Sequence, residues 1–191
     1  MDKHQDTIVA IATAPGRAAL AIVRVSGPRA LEFGRRLIAP WPTVARTAHL
    51  AGIVHADGKA IDEGLATRFD APASFTGEDV VEVTCHGGPI APALIAAAFV
   101  SFGARPARPG QFTRRAVLNG KLDLIQAEAV GDLSDASTRP ALKAALSQLD
   151  GGLSKRITAL RDHIIEVEAL AAYDIDFPEA DDGPIPSERI I

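Results

Sequence analysis

The chain has 191 residues, a formal net charge of −4 and 47% hydrophobic residues. That suits one core of ordinary size, or one core with an appended helical piece, and it excludes a wholly disordered chain. The acidic balance argues against a dedicated nucleic-acid binder but leaves room for a local basic patch. The single cysteine, Cys85, excludes a disulfide scaffold or a cysteine-rich zinc module. The N-terminal apolar run is too short for a signal-peptide core. The most apolar stretch, Ile90 to Phe102, falls short of the roughly 18 residues of a membrane span. A buried helix is expected there, in a soluble protein of a reducing compartment with no membrane partner.

The first 118 or so residues alternate strand and helix signals. Thr7 to Ala12 is a short β-branched run, broken by turn residues through Arg17. Ala19 to Val25 is a second apolar run. Pro28 opens a helix with Ala30, Leu31, Phe33 and Leu37 as its buried stripe, and Pro40-Trp41-Pro42 ends it. A hairpin is predicted next: His49 to His55, a type I′ turn at Asp57-Gly58, and a return over Ala60 to Phe69. Asp79 to His86 alternates as a strand, with Val81, Val83 and Cys85 on one face and Glu82, Thr84 and His86 on the other. An Ala-rich helix follows, then a basic loop from Arg105 to Gln111. From Phe112 onward only helix is predicted. Leu122, Ile125, Ala129 and Leu133 form one apolar series. A longer one runs from Leu142 through Leu146, Leu153, Ile157 and Ile164 to Ala171, as in a bundle or coiled-coil seam that needs a covering surface. Gly151-Gly152 kinks or weakens it. Divisions are expected at 1–118 (α+β), 119–177 (the first part of an all-α segment) and 178–191 (an acidic, flexible tail).

Five stretches in order carry a resemblance. They are ATAPGR from Ala12, VRVSG from Val23, SFTGEDVVEV from Ser74, CHGGP from Cys85, and RPGQFTRRAVLNGKLDL from Arg108. Together they strongly resemble the N-terminal part of the bacterial tRNA modification GTPase family, MnmE or TrmE, from about Asp6 to Phe177. The resemblance implies an α+β N-terminal domain, a mixed sheet with packed helices like folate-dependent one-carbon enzymes, which dimerises and binds a tetrahydrofolate derivative near the dimer interface. It implies a helical domain next, interrupted in the family by a Ras-like GTPase domain. It further implies action at carbon 5 of the tRNA wobble uridine, in the cytoplasm, with the flavoprotein partner MnmG (GidA). The implied cofactor is 5-formyl-tetrahydrofolate or 5,10-methylene-tetrahydrofolate. GTP, Mg and K are implied only for a GTPase domain that these residues do not contain.

A phosphate-cradling GxxxxGK[ST] loop is absent from the sequence. Its nearest candidate, Gly120-Lys121, is followed by Leu122 and has Arg115 where the first glycine belongs. The family's cysteine-containing C-terminal tail, usually assigned a catalytic role, has no counterpart either, so a truncated or separate part of a longer protein is expected. Smaller departures from the family are Ala18-Ala19 for Gly-Gly, Gln111 for Glu and Val117 for Phe. The alanines are expected to narrow the backbone's approach to a ligand.

Arg24, Glu82 and Lys121 match the family's folate contacts. Arg24 interrupts an apolar strand and needs an anionic partner, which a folate's glutamate tail offers. Glu82 can accept paired N–H groups from a pterin ring. Lys121 projects a cation from a loop-to-helix junction. The alternative is that Arg24 and Glu82 simply pair with each other. Cys85 and His86, on opposite faces of a strand, cannot form a dyad, and the five histidines lack ligand spacing, so neither a catalytic residue nor a metal site is expected. Arg105, Arg108, Arg114 and Arg115 form a basic cluster, read as solvated surface or dimer contacts in preference to tRNA contact. The competing functions are a structural dimerisation module without ligand binding and a stand-alone folate-dependent one-carbon transferase.

Overall fold

The computed structural model describes residues 6–176; the tail expected at 178–191 lies outside them. Two compact units divide after Leu122. The first carries a seven-stranded mixed sheet. Its strands are β1 (Ile8–Ile11), β2 (Leu20–Ser26), β3 (Ile38–Ala39), β4 (His49–Val54), β5 (Ala60–Phe69), β6 (Val80–His86) and β7 (Arg105–Pro106), in the order β3-β4-β5-β6-β2-β1-β7. Every pairing is antiparallel except that of β1 with β7. Two helices, α1 (Ala30–Leu37) and α2 (Ala91–Ser101), connect β2 to β3 and β6 to β7. Their buried residues, Phe33 and Leu37 from α1 and Ile95 and Phe99 from α2, join Val23, Val25, Val81, Val83 and Cys85 in one core. This is the expected α+β class.

Strand alternation decides which residues enter that core. Val81, Val83 and Cys85 are buried, while Glu82 and Thr84 are half-buried and His86 is exposed. The sheet face turned away from α1 and α2 leaves Leu20, Leu50 and Leu65 exposed. Four local expectations need correction. The hairpin turn is not type I′, since of Asp57 and Gly58 only Gly58 has positive φ. Gly58 N–H instead closes on the His55 carbonyl, and His55 N–H on the Lys59 carbonyl, as in a turn followed by a left-handed bulge residue. The Arg105–Gln111 stretch is not all loop: Arg105 and Ala107 N–H groups bond the Thr7 and Val9 carbonyls, making β7, and Gln111 opens a helix. The Ala-rich helix α2 is buried on one side only, with Ile90 before it and Leu94 and Val100 on it exposed. Finally, Arg115 is not solvated surface but buried.

A short helix, α3 (Gln111–Leu118), closes the first unit, and three more, α4 (Leu124–Asp135), α5 (Arg139–Leu149) and α6 (Gly152–Asp176), make the second. Asp123 caps α4 in a reciprocal box with Gln126, and Thr138 caps α5 at Ala141 N–H. The long apolar series is cut into two helices: Gly151, at φ 77°, takes the left-handed conformation that ends α5. Gln126 Nε2 donates to the Leu149 carbonyl, tying α4 to the end of α5. Along α6, Leu153, Ile157, Leu160 and Ile164 are exposed.

Candidate functional site

Arg24 lies in mid-β2, opposite Glu82 on β6. Its neighbours Val23 and Val25 fill the core, so the alternation turns Arg24 to the face away from α1 and α2. There its Nε donates to Glu82 Oε1 at 2.7 Å, and a terminal nitrogen pairs with the same oxygen at 2.7 Å. The rings of Phe75 and Phe112 flank the guanidinium, 5.5 and 5.7 Å from its carbon, an arrangement that attracts the cation to both rings. The two charged side chains remain 27% and 23% exposed, which leaves the pair within reach of a ligand. Glu82 Oε2 has no hydrogen-bond partner among the described residues.

Lys121 follows the end of α3. Its N–H bonds the Ala116 carbonyl at 2.8 Å, and its Nζ donates to the Pro72 carbonyl at 3.2 Å. Among the described residues it makes no hydrogen bond or ion pair with Arg24 or Glu82. The loop between β5 and β6 links the three, because it holds Phe75 beside Arg24 and the Pro72 carbonyl beside Lys121. The structure therefore brings Arg24 and Glu82 together and attaches Lys121 to the same loop. Ala18 and Ala19 are exposed, and the N–H of Ala18 bonds the Gly87 carbonyl.

The set offers a free carboxylate oxygen, guanidinium and ammonium donors, and two aromatic walls. Glu82 Oε2 can accept from an N–H-bearing group, and the guanidinium and ammonium groups can pair with anions.

Beneath α3 lies a polar network that the sequence did not reveal. Arg115, only 3% exposed, donates through one terminal nitrogen to Glu78 Oε2 at 2.9 Å and to the Asp6 carbonyl at 2.9 Å, and pairs through the other with the Asp6 carboxylate. The Thr76 hydroxyl lies 2.7 Å from Ser26 Oγ, which in turn donates to Glu78 Oε2 at 2.7 Å. Asn119 Nδ2 donates to the Thr76 carbonyl at 2.7 Å. These bonds fasten α3 to β2 and to the loop bearing Phe75. Burial alone would raise the Asp6 carboxyl, but the Arg105 hydrogen bond and the charges of Arg115 and Arg105 hold it below its ordinary value. Arginine suits this place because its forked donors satisfy several acceptors at once.

Cys85 is buried and His86 exposed, as strand alternation requires. Burial, with the charge of Asp62, pushes the thiol upward, away from its nucleophilic form. His86 bonds Asp62 instead, Nδ1 to Oδ1 at 2.7 Å. No helix among the described residues is long and apolar enough to cross a membrane.

Residues 7–121 match the family model described as the GTP-binding protein TrmE N-terminus, and residues 124–190 match the MnmE helical domain. The chain is similar to the tRNA modification GTPase MnmE of Chromohalobacter salexigens, at 49% identity over 92% of this chain and 38% of the relative. It is similar to that of Azoarcus sp. at 51% over 91% and 38%, and to that of Neisseria meningitidis serogroup B at 47% over 95% and 40%. The chain thus spans about two-fifths of the length of these curated relatives, 38–40%. The sheet with its packed helices falls within the first match and α4 to α6 within the second, so the chain belongs to the TrmE/MnmE family and comprises its N-terminal and helical domains.

Proposed function

We propose that this chain is the tetrahydrofolate-binding part of a tRNA-modifying protein, with the α+β domain running to about residue 118 and the helical part following. The observation that carries the reading is the Arg24–Glu82 pair, set between Phe75 and Phe112 with a free carboxylate oxygen. Glu82 would accept from the pterin edge, Arg24, bonded to the same carboxylate, would orient it and meet the ligand at that end, and Lys121 would hold a glutamyl carboxylate. The two rings, set against the Arg24 guanidinium, would shield the charged pair from water. The folate, as its 5-formyl or 5,10-methylene form, supplies a one-carbon unit when bound. This chain's residues bind and orient it; none is assigned a catalytic role. The modified position is carbon 5 of the wobble uridine, reached as a cytoplasmic homodimer with the flavoprotein partner MnmG and the tRNA. Family membership and the relatives' name as tRNA modification GTPases support this assignment.

Titration calorimetry with 5-formyl-tetrahydrofolate tests it. Saturable heat is expected, and Arg24→Ala or Glu82→Ala should weaken binding by about 1.5–3 kcal/mol, the range for hydrogen bonds to charged groups. The direct pairing of Arg24 with Glu82 favours one second reading, a structural bridge in a dimerisation module without ligand binding. On that reading the intact chain gives no heat, and Glu82→Ala lowers only the thermal midpoint.

A further inference from the structure

On α3, Gln111, Arg114, Arg115 and Leu118 recur at helical spacing and form one wall of a cleft of about 460 Å³. The other wall brings Asp6, Arg105 and Arg108. The four arginines are not equivalent. Arg115 is committed to Asp6 and Glu78, and Arg105 donates to Asp6 at 2.6 and 2.8 Å. The side chains of Arg108 and Arg114 make no hydrogen bond or ion pair among the described residues, and both residues are exposed. Asp6, the one carboxylate on the lining, is already shared by two cations. Gln111, placed where it could have neutralised Arg108, carries no charge. Its Oε1 accepts the Arg108 N–H at 2.8 Å and a weaker bond from Arg105 at 3.4 Å. A chain of net charge −4 thus concentrates unmatched guanidinium groups at one cleft.

We propose that this cleft binds the phosphodiester backbone of an RNA through Arg108 and Arg114. Guanidinium forks match phosphate oxygens in geometry as well as charge. The lining has no aromatic side chain on which a base could stack, so the cleft holds the backbone and does not read sequence. The choice of RNA as the anion rests on the tRNA-modification reading above; the cationic cleft stands apart from the Arg24–Glu82 pair.

The test is fluorescence anisotropy of the full chain with a labelled, unmodified tRNA transcript over a series of salt concentrations. Arg108→Ala/Arg114→Ala is compared with Arg35→Ala/Arg36→Ala, which removes the same charge from the exposed side of α1. Both variants should unfold at the wild-type temperature. The cleft variant should bind more weakly at every salt concentration. Its log–log salt slope should shrink by about 0.7–0.9 per lost phosphate contact, while the α1 variant keeps the wild-type slope. The inference is overturned if the wild type does not bind tRNA, or if the two variants lose affinity equally. Folate calorimetry on the same samples separates the two readings. Folate heat without tRNA binding removes the cleft assignment alone. Cleft-dependent tRNA binding without folate heat removes the folate assignment alone.

Discussion

Arg115 owes its stability to partners far away in sequence. A guanidinium this deeply buried is tolerated only because Glu78 and Asp6 pair with it and the Asp6 and Ser26 carbonyls also accept from the nitrogen that bonds Glu78. Glu78→Ala removes one of the two carboxylates that face Arg115 and takes from the Ser26 hydroxyl its charged acceptor. We expect a loss of about 3 kcal/mol in urea unfolding, at the lower end for a broken buried pair because Asp6 remains. Asp6 gives a pH dependence of definite sign. Its carboxyl titrates lower in the folded chain than its ordinary 3.8. It therefore stabilises fully above the unfolded value, and that contribution is lost as pH falls through the folded one. Asp6→Asn should accordingly differ from wild type by a constant amount at neutral pH, and the difference should shrink below about pH 4. Urea midpoints measured down to about pH 2.5 check this. A difference that stayed constant to the acid end would mean that the Arg105 and Arg115 contacts do not act on this carboxyl. None of this was legible in the sequence, where four arginines within eleven residues read as surface. What turns one of them inward is an acid at position 6, another at 78 and the end of a strand at 26.

Elements were legible where one periodicity governed them. β6 shows period two in its own residues, and α1 shows its stripe, so their buried faces could be read directly. β7 could not be read, since it is two residues long and contains a proline. It exists because β1 offers carbonyls to the N–H groups on either side of Pro106. The apolar series from Leu142 to Ala171 was legible as helical but not as two helices, because its spacing continues across the left-handed Gly151. The consequence is uneven stability. α4 and α5 pack on one another around Ala129 and Ala145, whereas α6 keeps most of its apolar residues exposed beyond Ser154, with only Val167 and Leu170 half-buried. Long helices take most of their stability from such packing. Hydrogen exchange should therefore find α6 from about Lys155 onward less protected than α4 and α5. Equal protection in a monomeric sample would show that α6 needs no covering surface. Among the site residues, the strand positions of Arg24 and Glu82 were legible. The loop that attaches Lys121 to them was not, because the Pro72 contact is a backbone one.

Considered whole, the chain separates two chemistries that its longer relatives share one name for. The relatives are GTPases by name, yet no GxxxxGK[ST] loop occurs in these residues, and Lys121 is engaged with a backbone carbonyl beside the folate candidate. The chain by itself should neither bind nor hydrolyse GTP above background. Tight binding of a labelled GTP analogue to a clean preparation would contradict this and would reassign Gly120-Lys121. The two helices crossing the sheet on a single side have a further effect, on how the sequence can change over time. Along β2 as far as Val25, odd positions secure folding while even ones lie on the face that carries Arg24; Ser26, at the strand's end, is buried. Selection on binding can then rewrite every second residue of a strand and leave its neighbours untouched. A saturation library scored for soluble expression should show this comb directly, intolerant at Ala21, Val23 and Val25 and permissive at Leu20 and Ile22 between them.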